Sequence, residues 1–181
     1  MMNDIIKHTI ELEGGYVNDK ADKGGETYKG ISRVHWPEWG GWSIIDEYKQ
    51  IGGEFHKLID GNPEVQRMVY QFYYQNFMRP FDQIKHYAIS EELFDTAVNM
   101  GVGTAAKFLQ QALNLMNRNG DIYKDLKVDG DIGPATIAAY KKADTDVLLK
   151  VLNGLQFERY HSIVERDPKQ ERFFNGWMKR V

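Results

Sequence analysis

The chain of 181 residues has no cysteine, which excludes disulfides, thiolate metal ligands and a thiol nucleophile. Its five histidines, His8, His35, His56, His86 and His161, form no i, i+4 pair and no metal-ligand spacing. No serine sits in a Gly-x-Ser-x-Gly elbow. Enzymes that cut peptide bonds commonly rely on one of these devices, so that class loses ground, and neither a metal nor a cofactor is expected. Excess positive charge is absent too: a net charge of −3 gives no basic footprint and argues against nucleic acid. No run approaches the roughly 18 consecutive apolar residues of a membrane span, so no stable membrane association is expected. Strand signals are sparse throughout.

What remains is 42% hydrophobic and 13% aromatic, enough for a substantial, mainly helical core. Against that background, residues 11 to 33 stand out. Gly14, Gly15, Gly24, Gly25 and Gly30 alternate there with the carboxylates Glu13, Asp19, Asp22 and Glu26. Such a backbone is costly to order and reaches conformations other residues avoid. Solvated acids on a surface turn are the plain alternative.

The spacing favours chemistry. Ile5, Ile6, Thr9, Ile10 and Leu12 recur at helical intervals, and Gly14 supplies a stop just after Glu13. A carboxyl on the last turn of a helix is held firmly, and a second carboxyl across a cleft from it is the equipment for cleaving a glycosidic bond. Free glutamate titrates near ~4.3. Burial at a helix C-terminus should raise that value and keep a proton available for donation. Asp22 and Thr27 lie beyond the glycine turns. Together they can hold a water for attack, Asp22 taking a proton and Thr27 fixing position, which points to inversion; Glu26 is the substitute base.

Glu13-Gly14-Gly15-Tyr16, Asn18-Asp19, Ala21-Asp22, Gly24-Gly25, Thr27 and Lys29-Gly30-Ile31 closely resemble the signature of glycoside hydrolase family 108. These are phage-endolysin-like and bacterial N-acetylmuramidases, some labelled putative secretion activators. The order Glu, Asp, Thr, then Gly-Ile also resembles phage T4-type lysozymes. The resemblance implies a mainly α, lysozyme-like fold with a small loop-and-hairpin lobe beside the cleft. It implies cleavage of the β-1,4 bond between N-acetylmuramic acid and N-acetylglucosamine, with Glu13, Asp22 and Thr27 catalytic. Tyr16, Glu26, Tyr28, Lys29 and Asn99 are the candidate substrate contacts. Lys20 and Lys23 replace prolines common in the family, and Tyr28 replaces a common Asn, changes that bear on loop stiffness and substrate contacts. Lys20, Lys23, Lys29 and Arg33 either meet substrate carboxylates or serve only solubility.

Asp95 to Gly103 resembles the family's second strong motif. There Asn99 reads either as a structural hydrogen-bonding group or as a cleft contact. Leu109 to Asn114 and Val128 to Thr136 resemble the peptidoglycan-binding modules at the C-terminal end of the same family. Asp129-Gly130-Asp131 suits a turn; it lacks the ligand series of a calcium loop. The expected organisation is a catalytic region over 1–95 and a peptidoglycan-binding-like region over 96–181, packed as one globule.

Helices are expected over 3–13 with Asn3 as cap, over 32–38, from Trp42 to Glu54, and from Pro63 to about Met78 with Asn62 as cap. Further helices should start behind Ser90, Thr104, Pro134 and Asp144 or Thr145, with a last one over 169–179. Trp36, Trp39 and Trp42 are expected in the core of the small lobe; exposed, they would form a platform for pyranose rings.

Met1 to His8 shows no basic segment followed by an apolar one. The expectation is synthesis in the bacterial cytoplasm and action on the wall after release or non-classical export. Bacterial glycan strands are the expected partner, and oligomeric state is left open. Two rivals share the fold: a non-catalytic or regulatory wall-binding, secretion-related protein, and a lytic transglycosylase, which needs no second carboxylate.

Overall fold

The computed structural model describes residues 2–18 and 25–181, and among them the chain is mainly α, with nine α-helices and one three-stranded sheet. Its contacts divide it into two compact units, Met1–Asn76 and Phe77–Val181.

In the first unit, α1 (Met2–Leu12) buries Ile5 and Ile6. Helix is already formed at Met2, so Asn3 lies inside the first turn instead of capping it, and its side chain accepts from the Tyr70 hydroxyl. The chain then forms an antiparallel sheet of β1 (Tyr16–Asn18), β2 (Glu26–Tyr28) and β3 (Ile31–Ser32), in that order. Tyr28 pairs with Ile31 across a two-residue connection in which Lys29 and Gly30 have φ of 45° and 75°. Two positive values suit the primed turn that matches the twist of a hairpin.

The helix expected over 32–38 does not form. Trp36 N bonds Ser32 O at 2.9 Å, but Pro37 has no N–H to continue the ladder, and the segment runs as turns. The helix expected from Trp42 to Glu54 is two: α2 (Gly41–Ile51) and α3 (Phe55–Asp60), parted by Gly52 and Gly53 at φ of 76° and 62°. Asn62 caps α4 (Pro63–Tyr73) as expected, its Oδ1 accepting from Glu64 N and Val65 N. A π turn over Tyr74–Met78 continues α4.

The second unit is built around α5 (Tyr87–Met100), α6 (Val102–Met116) and α8 (Thr145–Arg166), which pack on one another through Leu93, Ala97, Ala105, Leu109, Leu113, Leu148 and Leu152. Neither Ser90 nor Thr104 is a cap. Each lies inside its helix, where the hydroxyls donate to Ile84 O and Met100 O at 2.9 and 2.8 Å. Gly101, at φ 89°, makes the break between α5 and α6.

Asp144 does cap α8, accepting from Asp146 N and Val147 N. α7 (Pro134–Tyr140) opens with its proline, and α9 (Glu171–Trp177) is shorter than expected because a 3-10 turn occupies Pro168–Gln170. The Asp129-Gly130-Asp131 turn is pinned by the buried Gln110, which donates to Asp129 Oδ1 and Asp131 O at 2.8 and 2.9 Å and accepts from Gly130 N at 2.9 Å.

Candidate active site

Glu13 N bonds Thr9 O at 3.1 Å, so the residue is the last to follow the ladder of α1. Gly14 then turns away at φ 81°, the left-handed conformation that ends many helices. The Glu13 side chain is half-buried and lies over the hairpin connection. A Cβ added to Gly30 would come within 2.8 Å of Glu13 Oε2 and 3.2 Å of its Cδ, and would also strike the Tyr73 hydroxyl. Glycine is therefore required at 30 twice over, by its φ and by this close approach.

Tyr73, on the buried face of α4, donates to Lys29 O at 2.9 Å. Burial, then the charge of Glu13, push its phenol above the ordinary value, so it stays protonated and keeps donating. The Lys29–Gly30 connection is thus clamped from α4 beneath the carboxyl of α1. Nothing in the sequence distinguished Tyr73 from its neighbours in an apolar stripe.

Thr27 sits in β2, paired with Val17 and Ser32. Alternation along the strand puts it on the face opposite Glu26 and Tyr28, together with the exposed Val17. Asp22 lies outside the described residues, as do Asp19, Lys20 and Lys23.

The other face of the sheet carries an ionic cluster. Glu26 accepts from the Tyr16 hydroxyl and from Arg33 Nη1, both at 2.9 Å, and from Lys49. Arg33 also grips Asp46 with two bonds, at 2.8 and 2.6 Å. Burial pushes Glu26 up, but the bonds from Lys49, Arg33 and Tyr16 outweigh it and hold the carboxyl below its ordinary range. A carboxylate so held is a weak base.

Tyr16 packs edge-on against Phe55, with ring centroids 5.0 Å apart. Tyr28 is fully buried; its hydroxyl donates to Asp60 at 2.9 Å and accepts from Gln66 at 2.8 Å. Lys29 directs its ammonium to within 4.0 Å of Asp60, and Arg33 is committed to the cluster. Asn99 belongs to the second unit, where its amide donates to Asp95 O and Oδ1 at 2.8 and 3.1 Å. The structure therefore gathers Glu13, the Lys29 backbone, Gly30 and Tyr73 at one point, and Tyr16 with Glu26 at another.

Residues 6–101 match the family described as glycosyl hydrolase 108, and residues 104–181 match a predicted peptidoglycan domain. The two matches meet between α5 and α6, two helices that pack together inside the second compact unit. Eleven chains of solved structures match. One is Brucella abortus SagA, with a TM-score of 0.60 over 98% of this chain and 87% of that one, at 21% identity, a likeness of fold. No curated protein matches. The fold is the mainly α, lysozyme-like one.

Proposed function

We propose that this chain, which belongs to the glycosyl hydrolase 108 family, is an N-acetylmuramidase acting on the glycan strands of peptidoglycan, with Glu13 as its general acid. The observation that carries the reading is the Glu13 carboxyl, fixed at the end of α1 against Gly30 beside Tyr73. A carboxyl anchored by a helix end and seated on bare backbone has little freedom to move away from a bound sugar. That is what proton transfer in the transition state needs.

In the proposed step, Glu13 gives its proton to the bridging oxygen as the bond from that oxygen to C1 of N-acetylmuramic acid breaks. A water held by Asp22 and Thr27 attacks C1 from the opposite side and passes a proton to Asp22. Room for that water implies carboxyl groups about 6.5–9.5 Å apart, and the product has inverted configuration. Glu26 is the weaker candidate for base, because three donors already hold it ionised.

Purified peptidoglycan digested with the protein, and analysed by mass spectrometry and by NMR of the first product, tests the reading. New N-acetylmuramic acid reducing ends in the α configuration are expected. Glucosamine reducing ends or freed peptides would overturn muramidase activity, anhydro ends would indicate a lytic transglycosylase, and β product would refute inversion.

A further inference from the structure

The three tryptophans between residues 36 and 42 divide their work. Trp42 is 2% exposed, and its Nε1 donates to Trp36 O at 2.8 Å. Trp39 stacks on Tyr28 with centroids 6.3 Å apart and meets Trp42 edge-on at 5.1 Å. Trp36 remains 39% exposed, standing perpendicular to Phe72 at 4.9 Å. Backbone bonds from Trp36 N to Ser32 O and from Trp39 N to Trp36 O, at 2.9 and 3.1 Å, fix the loop that carries the outer rings. A large aromatic held in place and left partly in water can take a ring ligand against it.

Trp36, Trp39 and Phe72 line a cavity of about 450 Å³ together with Gln71, Gln75 and Asn76. That volume lies in the range of small-ligand sites. Among the described residues, the Gln71 and Gln75 side chains have no hydrogen-bond partner. The Asn76 amide nitrogen donates to Phe72 O at 2.8 Å. Gln75 and Asn76 stand on the π turn, a local widening of the helix often found at functional sites. Carboxamides pair a donor with an acceptor, the complement of a sugar hydroxyl, and aromatic faces complement the apolar face of a pyranose. No lysine or arginine lines the cavity, and its lining includes the Glu38 carboxylate. An anionic ligand is therefore disfavoured. Glu13, Lys29 and Gly30 are not among the lining residues.

We propose that this cavity is a second carbohydrate site, taking a neutral N-acetylglucosamine ring against Trp36, with Gln71 and Gln75 bonding its hydroxyl and acetamido groups. The choice of sugar rests on the reading that the chain acts on peptidoglycan glycan. The site itself is separable from catalysis.

The probe is triacetylchitotriose, titrated into full-length Glu13→Gln protein so that no turnover interferes, with binding followed by tryptophan fluorescence and by the NMR signal of the Trp36 indole. Saturable binding that moves this signal is expected. Trp36→Ala should weaken it about tenfold, the upper end of what one aromatic contact supplies. Gln71→Ala with Gln75→Ala leaves every ring in place and should weaken binding several-fold, so the proposal stays falsifiable if Trp36→Ala misfolds. Absence of binding, a static Trp36 signal, or unchanged affinity in the double variant would overturn the site. Because the readout is binding and not turnover, failure here leaves the assignment of Glu13 standing, and loss of that assignment leaves this result standing.

Discussion

Glu92 should make stability fall as pH rises. It lies in α5, 7% exposed, where Thr96 donates to its Oε1 at 3.3 Å. Burial, then the charges of Asp95 and Glu91, raise it from an ordinary 4.5 to about 7 against the opposing bond from Thr96. Asp95 lies nearby, accepting from Arg180 at 2.6 Å and from Gln156 at 3.2 Å, and Tyr160 is pushed up to about 12 by burial and by Asp95. The folded chain thus holds the Glu92 proton more tightly than the unfolded chain. Stability is greatest below the unfolded value and is lost as pH climbs toward the folded one. With values of 4.5 and about 7, linkage gives a loss of about 2–3 kcal/mol between pH 5 and pH 8. Glu92→Gln keeps the shape and has no proton to lose. Urea unfolding of both proteins at pH 5, 6, 7 and 8 isolates the contribution, because other titrations cancel in the difference. The variant should gain on the wild type by about 2–3 kcal/mol over that range, or roughly 5–10 °C in Tm. Parallel pH curves, or a wild type that gains on the variant, would show that folding does not tighten the hold of Glu92 on its proton.

Gly30→Ala meets both a left-handed backbone and the Glu13 carboxyl, and should cost about 2–4 kcal/mol in chemical denaturation. By displacing Glu13 it should also lower turnover roughly 100-fold. Tyr73→Phe strips Lys29 O of its donor; a loss of about 1–3 kcal/mol is expected in the same assay. Turnover should drop as well, because the clamp under Glu13 loosens. Asn62→Ala removes the cap of α4 and should lower Tm by about 2–4 °C, read by calorimetry.

The end of α1 was legible because Gly14 follows the apolar series directly, and Asn62-Pro63 and Asp144 announced their helices by standard cap chemistry. Ser90 and Thr104 misled for the reason that makes them good caps elsewhere: a short hydroxyl can also bond a carbonyl from within a helix, and composition does not say which. The break between α2 and α3 was hidden because Gly52-Gly53 could end one helix without announcing another. Trp36 was expected in the core on its apolar area, yet Pro37 holds the segment in turns and leaves the ring at the rim of a cavity. At the site, Glu13 could be singled out by its motif. Its meeting with Gly30 and Tyr73 could not, since it needs a hairpin and a distant helix to converge, and helical spacing marks Tyr73 only as facing inward.

Glu13 is proposed to supply the proton that breaks the glycan. Glu13→Gln preserves shape and hydrogen bonding and removes the transferable proton, so reducing-end release from purified peptidoglycan is the direct measurement, with wall binding and unfolding recorded on the same preparation. The expected result is a folded protein that still binds wall and releases almost no new N-acetylmuramic acid ends. Release at the wild-type rate by that variant would contradict it.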